Sequence, residues 1–135
     1  MSLPVEAFEH TPINQMLGMR LISRSAEHAE LRLPVKEEFL QEVGVVHGGI
    51  LTCLADTAAV YTLFPEAPEE HVMTSVELKV NFLAAARAGE GDLVARSRLV
   101  KRGRRLGLCD VDVFQGDRHC AHGTFTYLFF QPSSA

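Results

Sequence analysis

The sequence predicts an α+β fold in which one antiparallel sheet wraps around a long central helix. Apolar side chains recur at helical spacing over residues 49–64, the one long stretch of the chain with that period. Two short alternating segments precede this stretch and four strand-like runs follow it, with glycine-containing turns between the runs. Two strands, a helix and a series of strands are typical of an α+β domain, and we expect residues 1–135 to form a single one.

The segment before the long helix opens the sheet. Residues 5–15 are predicted to be a short helix or an irregular cover of the core. Residues 29–35 alternate apolar and polar side chains, as a half-buried strand does. Residues 18–22 can pair with them as a hairpin, so we expect the first two strands to be neighbours.

The long helix begins at a glycine pair and ends before Pro65. Its core-facing side is predicted to consist of Ile50, Leu51, Leu54, Ala58 and Tyr61. Gly48 and Gly49 stand at its start, where four backbone N–H groups have no partner inside the helix. The sequence therefore places free hydrogen-bond donors at this point.

Four strand-like runs are predicted after the helix. The clearest of them alternates apolar and polar side chains over residues 75–82, and the others cover residues 93–100, 106–114 and 120–130. A single helix covers only part of one face of such a sheet, and a small domain leaves much of its surface exposed. We therefore expect the chain to form a homodimer, or a tetramer made of two dimers.

The composition argues against several classes of protein. The formal net charge is −4, which gives no general attraction for nucleic acid. No apolar run approaches the roughly 20 residues that span a bilayer, and the N-terminus does not resemble a signal peptide. Three cysteines without a CxxC spacing argue against a disulfide framework and a structural zinc site. We expect a cytoplasmic protein that uses no cofactor and binds neither membranes nor nucleic acid.

Four motifs in a fixed order resemble those of a known family. They are Val46-His47-Gly48-Gly49, Leu54-Ala55-Asp56-Thr57, the strand Glu77-Leu78-Lys79-Val80-Asn81-Phe82-Leu83, and Gly103-Arg104-Arg105. Over residues 18–130 the chain resembles the hotdog-fold acyl-CoA thioesterases, in particular the PaaI-like branch, which is similar to the phenylacetate-pathway thioesterase. The resemblance implies the hotdog fold and the hydrolysis of acyl-CoA thioesters.

The resemblance also implies roles for individual residues. The backbone N–H of Gly48 would form the oxyanion hole, and Asp56 would act as nucleophile or general base. Gln41, seven residues before Gly48, would assist, and His47 belongs to the same motif. The implied substrate contacts are Gly49, Asn81, Phe82, Arg102, Gly103 and Arg104. The chain departs from the family pattern at Val60, where some members carry Ser or Thr one helical turn after the acid.

Helix geometry separates the two central groups. Thioester hydrolysis places negative charge on the carbonyl oxygen, so the site needs fixed N–H donors there, and a helix start provides them. Gly48 and Asp56 are eight residues apart, or about 12 Å along a helix, whereas a nucleophile must come within roughly 3 Å of the carbonyl carbon. We therefore expect a composite site in which Gly48 of one subunit faces Asp56 of a second across a two-fold interface.

Several residues have a simpler interpretation beside the chemical one. His47 is placed to hold the loop through a backbone hydrogen bond, which we favour over a catalytic role. Cys53 with His47 or His122 as its base would form a thiol nucleophile, and His119, Cys120 and His122 would form a metal site. Neither set has the required spacing or a nearby third partner in the sequence, so buried thiols and strand-end histidines are favoured. Residues 101–105 hold four cations around one glycine, which indicates either a solvated turn or a site for CoA phosphates.

Two other functions compete with hydrolysis. A non-enzymatic acyl-CoA sensor or carrier would keep the cationic turn but would need no aligned Asp56. A hotdog hydratase or dehydratase would need a histidine as its principal acid and base, and His47 is badly placed for that role. The sequence leaves open the acyl group, the choice between CoA and an acyl-carrier protein, and whether Asp56 is nucleophile or base.

Overall fold

In the computed structural model, residues 3–133 are described, and they form one antiparallel sheet around one long helix. The helices are α1 (Pro12–Leu17) and α2 (Gly48–Leu63), and the strands are β1 (Arg20–Arg24), β2 (His28–Leu33), β3 (Val72–Phe82), β4 (Leu93–Arg102), β5 (Leu106–Gln115) and β6 (Arg118–Phe130). Short 3-10 helices occupy Val5–His10, Glu37–Phe39 and Phe64–Glu66. Residues 1–2 and 134–135 of the predicted domain lie outside the described residues.

The six strands follow the order β1-β2-β4-β5-β6-β3, and every neighbouring pair is antiparallel. The hairpin of β1 with β2 and the α+β fold are confirmed. The strand after the helix, β3, does not pair with its successor β4; it crosses over and pairs with β6 at the edge of the sheet. One side of β3 is therefore left without a strand neighbour.

The long helix α2 packs on one face of this sheet, against β2, β4, β5 and β6. Thr62 Oγ1 donates a hydrogen bond of 2.9 Å to Ser97 Oγ of β4 inside this contact. The core-facing side of the helix is fully buried at Leu51, Leu54, Ala55, Ala58, Ala59, Tyr61, Thr62 and Leu63. The prediction for this side is confirmed except at Ile50, which is only partly buried.

The opposite side of α2 carries Thr52, Cys53, Asp56, Thr57 and Val60, all of which are half-buried. Few of these side chains are charged, and a helix that is largely apolar all round is typical of a buried environment. The side of α2 that faces away from the sheet therefore has the composition of a covered surface.

Arginine side chains hold the C-terminal end of α2. Arg102 donates hydrogen bonds of 3.1 Å to the carbonyl oxygens of Thr62 and Leu63, and Arg24 Nε donates one of 2.8 Å to the carbonyl oxygen of Tyr61. The last carbonyls of a helix lack partners within it and carry partial negative charge, so cations stabilise this end. Pro65 follows in a 3-10 turn, and the predicted end of the helix is confirmed to within one residue.

The segment predicted as a short helix or cover forms a 3-10 helix followed by α1, and it covers one end of α2. Phe8 is buried there, with its ring edge against Tyr61 at a centroid distance of 5.0 Å. No helix among residues 3–133 is long and apolar enough to cross a membrane.

The edge strand β3 exposes several apolar side chains of its alternating pattern. Val76 is 57% exposed, Leu78 45% and Phe82 56%, and Leu83 follows at 54%. A long edge strand with an exposed apolar row is a surface on which further strands can pair.

Candidate active site

The loop before α2 is fixed by its own backbone. Gln41 N–H donates to the carbonyl oxygen of Val45 at 2.9 Å, and Gly44 N–H donates to the carbonyl oxygen of Gln41 at the same distance. Gly44 has φ +82°, a left-handed conformation that glycine adopts without strain. The Gln41 side chain is part of this turn, because its Oε1 accepts a hydrogen bond of 2.6 Å from Val43 N–H.

The histidine before the glycine pair caps the helix. Gly49 N–H donates a hydrogen bond of 2.8 Å to Nδ1 of His47. A Cβ atom at position 49 would lie 2.9 Å from that same Nδ1, so glycine is needed for the cap to form. This contact occupies the donor of Gly49 and one ring nitrogen of His47, as expected for a residue that holds the loop.

Gly48 presents its donor to a groove. Its backbone N–H makes no hydrogen bond with any other residue of the described range 3–133. A Cβ atom at position 48 would lie 2.9 Å from Cζ of Phe82, so the close approach of β3 requires glycine here. The groove has a volume of about 510 Å³ and is lined by Val45, Val46, Gly48, Leu51, Phe82, Leu83 and Ala84–Ala86. An apolar groove with one free donor fits an acyl group whose carbonyl reaches the helix start.

Asp56 is held by a tyrosine that the sequence analysis did not identify. Tyr127 of β6 is 1% exposed, and its hydroxyl donates a short hydrogen bond to Oδ1 of Asp56. The same hydroxyl lies 3.2 Å from the backbone oxygen of Asp56. Burial is the main cause that raises the pKa of Tyr127, and the negative charge of Asp56 raises it further. The phenol therefore stays protonated and continues to donate its hydrogen bond to Asp56.

The second carboxylate oxygen of Asp56 has no hydrogen-bond or ion-pair partner among the described residues. One oxygen is therefore anchored by Tyr127 and the other is available for chemistry. Asp56 lies on the side of α2 that faces away from most of the sheet. Gly48 and Asp56 belong to one continuous helix, which keeps them about 12 Å apart in one chain.

The surroundings of Cys53 argue against this thiol as the nucleophile. Burial is the main cause that raises the pKa of the Cys53 thiol, and the negative charge of Asp56 raises it further. Both disfavour the thiolate, which is the form that would act as the nucleophile. His122 lies on β6 directly opposite Asn81 of β3, on the face of the sheet away from α2. It cannot serve as a base for Cys53, and Asn81 is likewise apart from the groove at Gly48.

The cationic turn lies at the other end of α2 from Gly48. Three residues of this turn, Arg102, Gly103 and Arg104, were predicted to contact the substrate, and their surroundings differ. Arg102 caps the helix, and its Nη2 also donates to the carbonyl oxygen of Ala26 at 2.6 Å. Gly103 N–H donates to the carbonyl oxygen of Leu106 at 2.8 Å and closes the turn. Arg104 has no hydrogen-bond or ion-pair partner within the described residues and borders a groove of about 300 Å³.

Known proteins share this fold and are similar in sequence. Residues 43–122 match the family model described as the Thioesterase superfamily. A thioesterase family protein from Silicibacter pomeroyi is 30% identical and superposes with a TM-score of 0.85 over 94% of this chain and 95% of its own. The phenylacetic acid degradation protein PaaI from Thermus thermophilus is 24% identical, with a TM-score of 0.80 over 87% of this chain and 98% of its own.

A curated mammalian relative is similar in sequence as well. Mouse acyl-coenzyme A thioesterase 13 is 27% identical over 94 residues, which cover 69% of this chain and 65% of the mouse protein. The six-stranded sheet with one long helix matches the hotdog neighbours, so the predicted hotdog fold is confirmed.

Proposed function

Because the chain belongs to the thioesterase superfamily, we propose that it hydrolyses acyl-CoA thioesters to a free acid and CoA. The observation that carries this proposal is the pair of groups on α2. Gly48 offers a backbone donor without a partner to an apolar groove, and Asp56 is a carboxylate fixed at one oxygen by a buried tyrosine. An oxyanion donor and an oriented carboxylate are what acyl transfer to water requires.

In this reaction the thioester carbonyl oxygen accepts a hydrogen bond from Gly48 N–H while negative charge develops on it. Asp56 either removes a proton from a water molecule that attacks the carbonyl carbon, or attacks that carbon itself to give a mixed anhydride that water then cleaves. In both routes the C–S bond breaks, the thiolate leaves and takes up a proton, and an oxygen from water ends in the acid. Tyr127 orients Asp56 throughout and touches no substrate atom.

The two groups act together in a dimer formed along the edge of β3. Tyr127, which holds Asp56, lies opposite Ser75 of β3, whereas Gly48 packs beside Phe82 at the far end of the same strand. Antiparallel pairing of two β3 strands about a two-fold axis brings the Phe82 end of one strand to the Ser75 end of the other. Gly48 of one subunit would then face Asp56 of the second.

The same arrangement covers the surfaces that one chain leaves open. It would pair the free edge of β3 and bury the exposed side chains of Val76 and Leu78. It would also cover the apolar outer side of α2, with Cys53 and Val60 beside Asp56. We propose a homodimer of this kind as the smallest active unit, with a dimer of dimers as the larger alternative.

Arg104 would bind the CoA phosphates in this dimer. The cationic turn stands at the C-terminal end of α2, about 10 Å beyond Asp56 along the helix, on the subunit that supplies the carboxylate. The phosphates of CoA are at the opposite end of the pantetheine arm from the thioester. The capping bonds of Arg102 leave Arg104 as the member of the predicted site with an uncommitted guanidinium.

The first test is release of free thiol from a panel of aryl-acyl and fatty-acyl CoA substrates. We expect hydrolysis of at least one class, and loss of more than about nine-tenths of kcat in Asp56→Asn, which should still fold and unfold cooperatively. Binding of acyl-CoA without hydrolysis of any substrate would instead support the sensor function. A mutant that keeps more than a tenth of kcat would remove Asp56 from the mechanism.

The composite site has a test of its own. Asp56→Asn and Gly48→Val chains, each inactive alone, are unfolded, mixed in equal amounts and refolded. Random pairing makes about half of the dimers mixed, and each mixed dimer holds one intact site of two, so about a quarter of the wild-type activity should return. Mixtures that stay inactive although mixed dimers form would show that each chain works alone.

The phosphate role is tested by comparing two substrates. Arg104→Glu should raise KM for an acyl-CoA more than KM for the corresponding acyl-pantetheine, which lacks the phosphates. Arg32→Glu is the matched control, because it makes the same change of charge on β2, away from the cationic turn. Equal effects of Arg104→Glu on both substrates would exclude the phosphate role.

The cytoplasmic location and the single domain over residues 1–135 stay predictions.

A further inference from the structure

Two histidines and an aspartate converge on the face of the sheet opposite α2. His119 Nε2 and His122 Nδ1 each lie 2.8 Å from Oδ1 of Asp112. One potential ligand atom from each of the three residues lies within 4.8 Å of the other two. The side chains are 40%, 41% and 38% exposed, so solvent and solutes reach them.

A β-bulge brings the two histidines to the same face. Residues three apart in a regular strand point to opposite faces, because side chains alternate. On β5, Val113 and Phe114 are consecutive, but on β6 their partners are Ala121 and His119, which are two residues apart. Cys120 between them is therefore the extra residue of the bulge. Cys120 and Ala121 are consequently both buried, and His119 and His122 both point outward.

The third ligand comes from the neighbouring strand. Asp112 of β5 stands directly opposite His122 in the register. The sequence interpretation of these histidines lacked a third partner, and strand pairing supplies one ten residues earlier in the chain. His122 is paired with strands on both sides, β5 and β3, and His119 is paired with Phe114 of β5.

The donor set is that of a zinc site. Zn²⁺ binds imidazole nitrogen and carboxylate oxygen at about 2.0–2.2 Å, and in a tetrahedral arrangement these atoms would be about 3.3 Å apart. Zinc binding requires the two N···O distances to open from 2.8 Å and the two histidine nitrogens, which lie within 4.8 Å of each other, to reach the same separation; rotations of the half-exposed side chains can provide both changes. Three protein ligands leave one position for water, which the exposure of the cluster allows.

The surroundings favour a bound cation over a simple hydrogen-bonded cluster. The ring of Phe114 stacks on His119 at 4.7 Å and holds its plane. Arg96 stands opposite Asp112 on β4, with its guanidinium 5.4 Å from the centre of the Phe114 ring, but its ion pair is with Glu30, 3.1 Å from Nε, and not with Asp112. Among the described residues, Asp112 has no ion-pair partner other than the two histidines. No arginine or lysine of residues 3–133 forms a direct ion pair with this carboxylate.

We propose that Asp112, His119 and His122 form a binding site for Zn²⁺ or a similar divalent transition-metal ion, which links β5 to β6. The site lies on the face of the sheet away from Gly48 and Asp56. It is independent of the proposed hydrolysis, and it would hold whether or not the chain is a thioesterase.

The test is titration of the metal-free full-length chain with Zn²⁺ alone, in competition with a chromophoric chelator. We expect one ion per chain with a Kd on the order of 10 µM or below. His119→Gln and His122→Gln should each weaken binding at least about tenfold, and Zn²⁺ should raise the melting temperature of the wild type but not of the double variant. Mg²⁺ should give neither effect, because it prefers oxygen ligands.

Matched variants separate this site from other metal-binding groups. His28→Gln removes an exposed histidine that contacts Ser23 and Ser25, and Cys53→Ser removes the most accessible thiol. Both variants should bind Zn²⁺ as the wild type does. Unchanged binding in His119→Gln/His122→Gln, a wild-type Kd weaker than about 1 mM, or sulfur ligands in the X-ray absorption spectrum of the bound zinc would each overturn the proposal.

Discussion

Replacement of Tyr127 by phenylalanine isolates the contact that holds Asp56. The substitution removes one hydroxyl from a side chain that is 1% exposed and keeps the ring that fills the core. It breaks the hydrogen bond to Oδ1 of Asp56 and the contact of 3.2 Å with the backbone oxygen of that residue. Because the carboxylate is then free to rotate, we expect kcat to fall while KM for the acyl-CoA changes little.

The size of the effect follows from the charge and the burial of the partners. A hydrogen bond to a charged group contributes about 1.5–3 kcal/mol to stability, and water can replace the phenol at the half-buried Asp56, so we take the lower end. About 1.5 kcal/mol corresponds to a melting temperature lower by about 4–8 °C for a domain of this size. Misplacement of a reacting group by about 1 Å costs up to 100-fold in rate, so kcat should fall by about 10- to 100-fold.

Thiol release and thermal unfolding are measured on four proteins: the wild type, Tyr127→Phe, Asp56→Asn and the double variant. In the Asp56→Asn background, Tyr127→Phe should cause almost no further loss of kcat, because its effect passes through the carboxylate. Tyr61→Phe is the control, since Tyr61 is also a buried tyrosine but lies against Phe8. A Tyr127→Phe variant with wild-type kcat, or losses that add up fully in the double variant, would refute the positioning role.

Other changes test the remaining contacts on α2. Gly48→Ala places a Cβ atom 2.9 Å from Phe82, so kcat should fall by at least about tenfold as the helix start shifts, and an unchanged rate would argue against an oxyanion donor there. Arg102→Gln should lower the free energy of unfolding in urea by about 1–2 kcal/mol, through loss of the helix cap, without raising KM. Burial and then the charge of Asp56 raise the pKa of Cys53, so Asp56→Asn should lower that pKa and speed alkylation by iodoacetamide at pH 8; an equal rate would contradict this coupling.

Local patterns in the sequence were sufficient to predict the elements of the fold. The helix was expected over residues 49–64 and spans Gly48–Leu63, because an apolar period and a proline define it. Alternation likewise revealed the strands. Alternation does not specify which strands become neighbours, so it could not show that β3 crosses over to pair with β6 and forms the edge. The exposed apolar row on that strand appears only when the strand order is known.

The sequence was sufficient to predict those residues of the candidate site that lie on a single element of secondary structure. The glycine pair and the carboxylate lie on one helix, and their separation already indicated a site shared between subunits. Tyr127 and Asp112 were missed because each reaches its partner through strand pairing or packing, far along the chain. A tyrosine among buried strand residues must find an acceptor for its hydroxyl, and this rule was the one available signal for Tyr127. No periodic pattern reveals the bulge at Cys120.

The fit of Phe82 against the helix start has an evolutionary consequence. Positions 48 and 82 share one small volume, since the absence of a side chain at one makes room for the ring at the other. Among relatives, a larger residue at position 48 should be accompanied by a smaller one at position 82. The two positions should therefore change as a pair, and a substitution tolerated in one sequence would be rejected in another that differs only at the partner position.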